Sequence, residues 1–365
     1  MLPTTRRSRA AAAATALVAV AAAGLGLWWT LGRDDPDRDC AGLRTDGRIR
    51  TVLDGAWRSD LPCRELAEGL RRATTGDRPG VHTLPQAHAM RTVVLALADR
   101  PDHHVHPEVR GPLAEALADY AADTHAVLTG VNDVYAAHDG PSADAWQDGQ
   151  GVHFAVSQNQ LVRALRGLAE DAPGYAALRA ADLRQGAAGL AAVGPGPEQS
   201  AIVDPLVRAA APAGAFDGIA DDVLRDLGDG ARRSWQGDVL TRLKAAGGGQ
   251  VPSFAADPAG NLAATWLAPL APADPGGADG YPRLHDQAAA LLAQWADAAH
   301  AGLAPEALRT LQDRARTTTD REQREARTTL GGQVLSSNRG GGPAGRARTE
   351  HVVSAGRVPV FGPIA

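Results

Sequence analysis

Residues 83–98 read TLPQAHAMRTVVLALA and carry the signals of a helix with a defined start. Thr83 and Gln86 have the spacing of a capping box, in which each side chain accepts a backbone N–H of the other residue. Pro85 fits the first turn of a helix, where a missing N–H breaks no helical bond. One face carries the apolar residues Met90, Val93, Val94 and Leu97. The stretch therefore predicts a helix over about residues 85–98.

The same signals recur along the chain, and the composition agrees with them. Ser157 and Gln160 form a second capping box, followed by leucines at helical spacing. Aromatic residues make up only 4% of the chain. Because β-branched residues are also few beside alanine and leucine, we predict a mainly α fold.

Further helices follow from the periodicity of apolar residues. Residues 197–228 are expected to form two short helices split by Pro212 and Gly214, and a charged helix near residues 304–329 is expected to be largely solvated. Trp235 is expected to be a core or capping aromatic. Other expected helical spans are residues 107–128, 174–193 and 282–301.

Ala10–Leu31, AAAAATALVAVAAAGLGLWWTL, contains no charged residue. As a helix it would be roughly 33 Å long, enough for a bilayer core of about 30 Å. Arginines precede the run and aspartates follow it, which places the N-terminus in the cytoplasm. Trp28 and Trp29 lie near the outer end, where indole rings favour the membrane interface. The sequence therefore predicts a single N-terminal transmembrane helix before an extracytoplasmic domain.

A cleaved secretory signal is the alternative interpretation of this run. Ala21-Ala22-Ala23 has the small-residue pattern of a cleavage site and would leave Gly24 as the new N-terminus. The apolar run continues to Leu31, which suits a membrane span better than a cleavage region. We therefore expect an anchored protein, with a secreted protein as the alternative.

On this interpretation the chain has five parts. They are a basic cytoplasmic N-terminus (residues 1–9), the anchor (10–31), a charged spacer (32–39), an extracytoplasmic helical domain (40–330) and a Gly/Arg-rich tail (331–365). The tail has too few apolar residues to form a core, so it is expected to be disordered. Residues 138–153, HDGPSADAWQDGQGVH, are a polar, glycine-rich break and a possible internal boundary.

Cys40 and Cys63 are the two cysteines of the chain. An even number of cysteines outside the cytoplasm indicates a disulfide bond. The bond would close a loop of about two dozen residues and stabilise the domain by about 3 kcal/mol on the chain-entropy estimate. We therefore predict that Cys40 and Cys63 fasten the start of the folded domain.

Composition and missing motifs exclude several functions. The formal net charge of −5 gives no basic surface for nucleic acid. Lys244 is the one lysine of the chain. A phosphate-binding P-loop requires a glycine before its lysine, and Leu243 stands there instead. A Ser-x-x-Lys nucleophile requires a serine three positions earlier, where this chain has Thr241. The preference for arginine, with abundant alanine, glycine and proline, is typical of a GC-rich bacterial genome. No cofactor is expected.

Histidines near residue 104 are the candidate metal site. His103, His104 and His106 offer imidazoles to zinc, and His88 or His125 would have to supply a further ligand. No HExxH motif is present, and a polar connector between helices is the alternative interpretation.

Other polar residues are catalytic candidates by type alone. Hydrolysis would require a base and a nucleophile brought together by the fold, and His153, Ser157 and Asp171 are candidates by type, but their spacing does not indicate catalysis. Asp221 and Asp222 are adjacent on an expected helix, where paired carboxylates normally face different sides and are solvated.

These observations favour a bacterial single-pass membrane protein with a non-catalytic extracytoplasmic interaction domain. The expected partners are membrane lipid, through residues 10–31, and another envelope or surface protein. One alternative is a cell-envelope hydrolase, with zinc bound by His103, His104 and His106. The other is a secreted helical effector that begins at Gly24.

Overall fold

The computed structural model describes residues 36–267 and 287–337, apart from positions 102, 131, 195, 197 and 249. This part of the chain is mainly helical, as predicted. The first seven helices are α1 (Pro36–Thr45), α2 (Gly47–Leu53), α3 (Cys63–Thr74), α4 (Leu84–Ala98), α5 (Pro107–Ala118), α6 (Ala121–Leu128) and α7 (Asp133–Ala137). The next seven are α8 (Gln158–Ala169), α9 (Ala172–Ala191), α10 (Gln199–Asp226), α11 (Asp229–Ala246), α12 (Pro258–Leu267), α13 (Gln287–Ala298) and α14 (Pro305–Ser337).

Both predicted capping boxes form, and they start two helices that pack together. The side chain of Gln86 accepts the N–H of Thr83 at 2.8 Å, and Thr83 accepts the N–H of Gln86 in return. Ser157 and Gln160 repeat the arrangement at the start of α8. Because α4 packs against α8, these local signals position two neighbouring parts of the core.

The central helix is α9, which packs against α5, α6, α8, α10, α11, α12 and α13. Its Arg179 is fully buried and donates to the carbonyl oxygen of Ala213 at 2.8 Å and to Asp217 at 3.1 Å. The same guanidinium donates to Gln287 at 2.7 Å. Since α10 and α13 provide these acceptors, one side chain joins three helices. Burial raises the pKa of Asp217 to about 7, although the neighbouring arginine acts to lower it.

The expected boundary at residues 138–153 does not separate two cores. It contains an antiparallel hairpin of two short strands, β1 (Trp146–Gln147) and β2 (Val152–His153). Buried apolar residues before and after this hairpin belong to one continuous cluster. The polar, glycine-rich composition therefore marks a surface hairpin rather than a linker.

Two expectations for the C-terminal half are wrong. Residues 199–226 form one helix, with Pro212 inside it, because the buried face of α10 packs against α8, α9 and α14 along its length. Helix α14 is not largely solvated, since a stripe of its residues is buried against that helix. The stripe consists of Leu311, Ala315, Thr319, Ala326 and Leu330. The prediction failed because charged residues on the other faces of α14 dominate its composition.

The contact between α10 and α14 depends on two glycines. A methyl group at Gly214 would overlap the backbone oxygen of Thr319. One at Gly218 would lie 2.7 Å from the Cβ of Ala326 and from the backbone oxygen of Gln323. Because real Cβ atoms do not approach other atoms so closely, only glycine permits the two backbones to lie this near each other.

Cys40 and Cys63 form the predicted disulfide, with their Cα atoms 5.7 Å apart. It joins α1 to the first residue of α3. Helix α1 begins at Pro36, inside the expected spacer of residues 32–39, because proline is compatible with a first helical turn. At the other end α14 continues to Ser337, past the expected domain end at residue 330, since Leu330 is still buried against the core.

The expected anchor, residues 10–31 with Trp28 and Trp29, lies outside the described residues. So do residues 1–9 and the part of the expected tail that follows Ser337. Within the described ranges, no helix combines the length and the apolar character that crossing a bilayer requires. The anchor and the tail therefore stay predictions.

We expect Gly214→Ala to destabilise the fold by about 1–3 kcal/mol, the usual cost of forcing an extra methyl group into a packed contact. Gly237→Ala is the matched control: Gly237 lies within α11 with no neighbouring atom within 4 Å of an added Cβ. The control should be stabilised by about 0.5–1 kcal/mol, because alanine favours helix over glycine. Urea unfolding followed by far-UV circular dichroism measures both, and equal stabilities would contradict the close contact.

Candidate functional site

The structure does not bring the three predicted metal-binding histidines to one point. His104 Nδ1 lies 2.9 Å from the carboxylate of Glu170. His106 is the N-cap residue of α5, and its Nδ1 accepts the N–H of Glu108 at 3.2 Å. His103 is buried and has a φ of 56°, a left-handed conformation uncommon for residues other than glycine. His104 and His106 thus contribute to different structural contacts.

The histidines expected to complete that site also lie elsewhere. His88 faces Asp144 on the surface at 3.3 Å, and His125 contacts the buried Asp182 at 2.7 Å. Among the described residues, one group of three ligand-type side chains has donor atoms within 4.8 Å of one another: Cys63, His106 and Glu108. Zinc binding by His103, His104 and His106 stays a prediction that this arrangement does not favour.

A different histidine lies between two carboxylates. His153 Nδ1 lies 2.8 Å from a carboxylate oxygen of Asp123, and its Nε2 lies 3.1 Å from a carboxylate oxygen of Asp148. The hydroxyl of Tyr135 donates to the same Asp123 oxygen at 2.6 Å. The ring of Trp146 packs beside Tyr135 and His153, with centroid distances of 5.0 and 5.3 Å. We call Asp123, Tyr135, Asp148 and His153 the His153 cluster.

Four separate elements supply the His153 cluster. Asp123 comes from α6, Tyr135 from α7, Asp148 from the hairpin turn and His153 from β2. Asp148 also accepts the N–H groups of Gln150 and Gly151, which fixes the turn. The cluster therefore holds the hairpin against α6 and α7.

Charges within the cluster set its protonation states. The hydrogen bond to Asp123 raises the pKa of His153 above its ordinary value, against the opposing effect of burial. Burial and the nearby Asp123 raise the pKa of Tyr135. The backbone N–H of Gln150 lowers the pKa of Asp148. The arrangement thus favours an imidazolium whose two N–H groups are both bonded to carboxylates.

The three residues that were catalytic candidates by type alone, His153, Ser157 and Asp171, have structural contacts in this fold. Both ring nitrogens of His153 lie within hydrogen-bond distance of carboxylates. Ser157 Oγ caps α8, and Asp171 caps α9 by accepting the N–H of Gly174 at 2.8 Å. Each of the three side chains therefore has a structural hydrogen bond in this fold.

An ionic cluster that the sequence did not predict joins α8 to α10. Arg166 donates to Asp222 at 2.6 Å, to Asp226 at 2.5 Å and to Glu170 at 3.0 Å. Asp222 is buried, so the expectation of a solvated Asp221–Asp222 pair is wrong for this residue. The aspartates at positions 217, 222 and 226 are the part of this cluster that the sequence shows, but their arginine partners lie far away in sequence.

Trp235 is a core aromatic, as expected, and its indole donates to the carbonyl oxygen of Ala169.

A groove is bounded by α3, α5, α9 and α11. Two cavities of about 570 and 640 Å³ adjoin there, because they share the lining residues Arg71, Thr75, Gly76 and Asp77. Small side chains make the floor of the 570 Å³ cavity: Ala116, Ala118, Pro173, Ala176, Ala177, Ala180, Ala181 and Ala246. We call the two adjoining cavities together the α9 groove. No sequence motif predicted the α9 groove, because its residues come from four distant segments.

The rim of the α9 groove is rich in arginine. It carries five arginines (Arg71, Arg72, Arg78, Arg184 and Arg242) and three acidic residues (Asp77, Glu115 and Asp119). Arg71 is paired with Glu68, and Arg184 donates to the carbonyl oxygen of Ala246. Arg72, Arg78 and Arg242 are exposed, and no described residue forms an ion pair with them.

We expect His153→Gln to remove a pH-dependent part of the stability. Because the folded pKa of His153 is raised, its stabilising effect is full below the unfolded pKa of about 6.5 and is lost as the pH rises through the folded pKa. The free energy of unfolding of wild type should therefore exceed that of H153Q most at about pH 5.5 and least at about pH 8.5. His88→Gln, at an exposed histidine, is the control. A pH-independent difference between wild type and H153Q would contradict the protonated cluster.

No protein-family model, curated protein or solved structure matches this chain. Its function is therefore inferred from its own side chains. The His153 cluster uses both ring nitrogens in structural bonds, whereas the α9 groove is open to solvent with exposed arginines. The α9 groove is accordingly the candidate functional site.

Proposed function

We propose that this chain is a membrane-anchored, non-catalytic helical domain that binds an acidic segment of another envelope or surface protein. The observation that carries the proposal is the α9 groove, where the exposed Arg72 and Arg78 line one cavity and the exposed Arg242 lines the adjoining, alanine-rich one. Residues 10–31 supply the anchor, and the described helices lie outside the cytoplasm.

The chemistry of the rim favours carboxylates as ligands. Guanidinium groups bind carboxylates in a planar, two-bond geometry, and arginine clusters are a recurring means of recognising acidic segments. Arginines outnumber acidic residues on the rim, which gives an incoming acidic segment a net attraction.

The floor of the groove favours a polypeptide as the ligand. Side chains the size of Ala176, Ala177 and Ala180 let another backbone approach α9 closely. Ala177 and Ala181 are partly exposed, and burial of their methyl groups adds an apolar contribution of about 25 cal/mol per Å² to the charge contacts of the rim. A segment that alternates acidic and small residues fits both surfaces.

The catalytic candidates also support a non-catalytic role, because His153, Ser157 and Asp171 are each engaged in structural hydrogen bonds. No contact in the described residues favours the zinc hydrolase over the binding domain. The secreted effector shares the same fold and differs at the N-terminus alone. N-terminal sequencing separates the two, since secretion requires a mature chain that begins at Gly24.

We expect the triple variant R72Q/R78Q/R242Q to weaken binding of a labelled Glu-Ala repeat peptide by about tenfold, since each exposed charge contact contributes roughly 0.2–1 kcal/mol. Fluorescence anisotropy with the full-length chain in detergent measures the affinity. The matched control R233Q/R314Q/R324Q removes the same charge from exposed sites outside the groove lining.

The control variant should bind the peptide within about twofold of wild type, because long-range charge effects on exposed sites are weak. A Lys-Ala repeat peptide should not bind. Equal weakening by the two triple variants, or equal binding of the two peptides, would contradict a specific site in the α9 groove.

A further inference from the structure

Three metal-ligand atoms meet where the N-terminal ends of α3 and α5 approach each other. The sulfur of Cys63, one ring nitrogen of His106 and one carboxylate oxygen of Glu108 lie within 4.8 Å of one another. Cys63 is the first residue of α3, His106 is the N-cap of α5, and Glu108 lies in its first turn. The sulfur of Cys40 is beside the same point, because it is bonded to the sulfur of Cys63.

We propose that reduction of the disulfide creates a zinc site with Cys40, Cys63, His106 and Glu108 as its four ligands. In the oxidised chain the sulfurs are bonded to each other, which leaves one nitrogen and one oxygen donor. Reduction adds two thiolates and completes a set of four donors of the types that zinc binds in tetrahedral sites. In such sites neighbouring donors are roughly 3.3–3.8 Å apart, and the donor atoms of Cys63, His106 and Glu108 already lie within 4.8 Å of one another.

The redox step balances with a dithiol reductant. The reductant gives two electrons and two protons to the Cys40–Cys63 bond and becomes a disulfide itself, so the bond breaks into two thiols. Zinc then binds both sulfurs as thiolates and displaces the two thiol protons to solvent. The segments around α1 and α3 are thereby held together covalently when oxidised and by the metal when reduced.

The local electrostatics favour this ligand set. Two thiolates and one carboxylate carry three negative charges against two positive charges on zinc. The N-terminal ends of α3 and α5, which are the positive ends of the helix dipoles, lie beside this excess of negative charge. Cys40, Cys63 and His106 are buried while Glu108 is exposed, so an ion can enter from the side of the carboxylate.

Metal binding changes the role of His106. In the oxidised chain its Nδ1 accepts the N–H of Glu108 and caps α5. A metal on Nδ1 uses that lone pair, and a metal on Nε2 requires the proton to be on Nδ1. Either mode exchanges the capping bond for a metal bond, so the start of α5 responds to the redox state.

The test uses the full-length chain in detergent, oxidised or reduced with a dithiol that is then removed anaerobically, and zinc alone as the probe. Equilibrium dialysis followed by elemental analysis measures bound zinc. We expect about one zinc per reduced chain and less than about a tenth of that per oxidised chain. His106→Asn, which retains a capping side chain, and Glu108→Gln should each weaken zinc binding at least about tenfold. His104→Asn is the matched control and should bind as wild type does.

Three results would overturn the proposal: no zinc on the reduced chain, equal zinc on both redox forms, or unchanged affinity in H106N and E108Q. Far-UV circular dichroism is recorded on every sample. If reduction alone lowers the helical content, zinc must restore it in wild type and not in H106N. Failure of that restoration equally overturns the proposal.

Discussion

The buried guanidinium of Arg179 is the interaction on which the rest of this fold depends. A charge removed from water is costly unless hydrogen bonds and an opposite charge compensate for it. Ala213, Asp217 and Gln287 provide that compensation from α10 and α13. These two helices must therefore be in place around α9 before the charge is satisfied. The partly exposed Ala177 and Ala181 of α9 then line the groove.

The same constraint extends to the helices that pack against α10. Gly214 and Gly218 let α14 pack closely on the side of α10 that faces it, and Asp222 receives Arg166 from α8. Helix α3 connects the disulfide to the α9 groove. It begins at Cys63 in the disulfide and ends beside Arg71 and Arg72 on the groove rim. A change at the cysteines therefore acts on the helix that presents part of the proposed binding surface.

Sequence alone predicted the features that depend on neighbouring residues. The capping boxes at Thr83 and Ser157 are local patterns of four residues, and the disulfide follows from a count of two cysteines in a chain that was expected to be exported. The buried stripe of α14 was missed because its burial depends on glycines about a hundred positions earlier. The His153 cluster and the α9 groove were missed for the same reason, since each joins segments that are distant in sequence. Among the three expected metal ligands, His106 lies in a ligand-type group, and its neighbours there are Cys63 and Glu108.

The most direct test of this account is the free energy of unfolding of Arg179→Met, compared with Arg184→Met on the exposed side of the same helix. We expect Arg179→Met to lose about 3–5 kcal/mol, because Asp217 is left buried without its partner. Arg184→Met should lose less than about 1 kcal/mol, as exposed arginines normally do. Equal losses in the two variants would contradict the central role of the buried guanidinium.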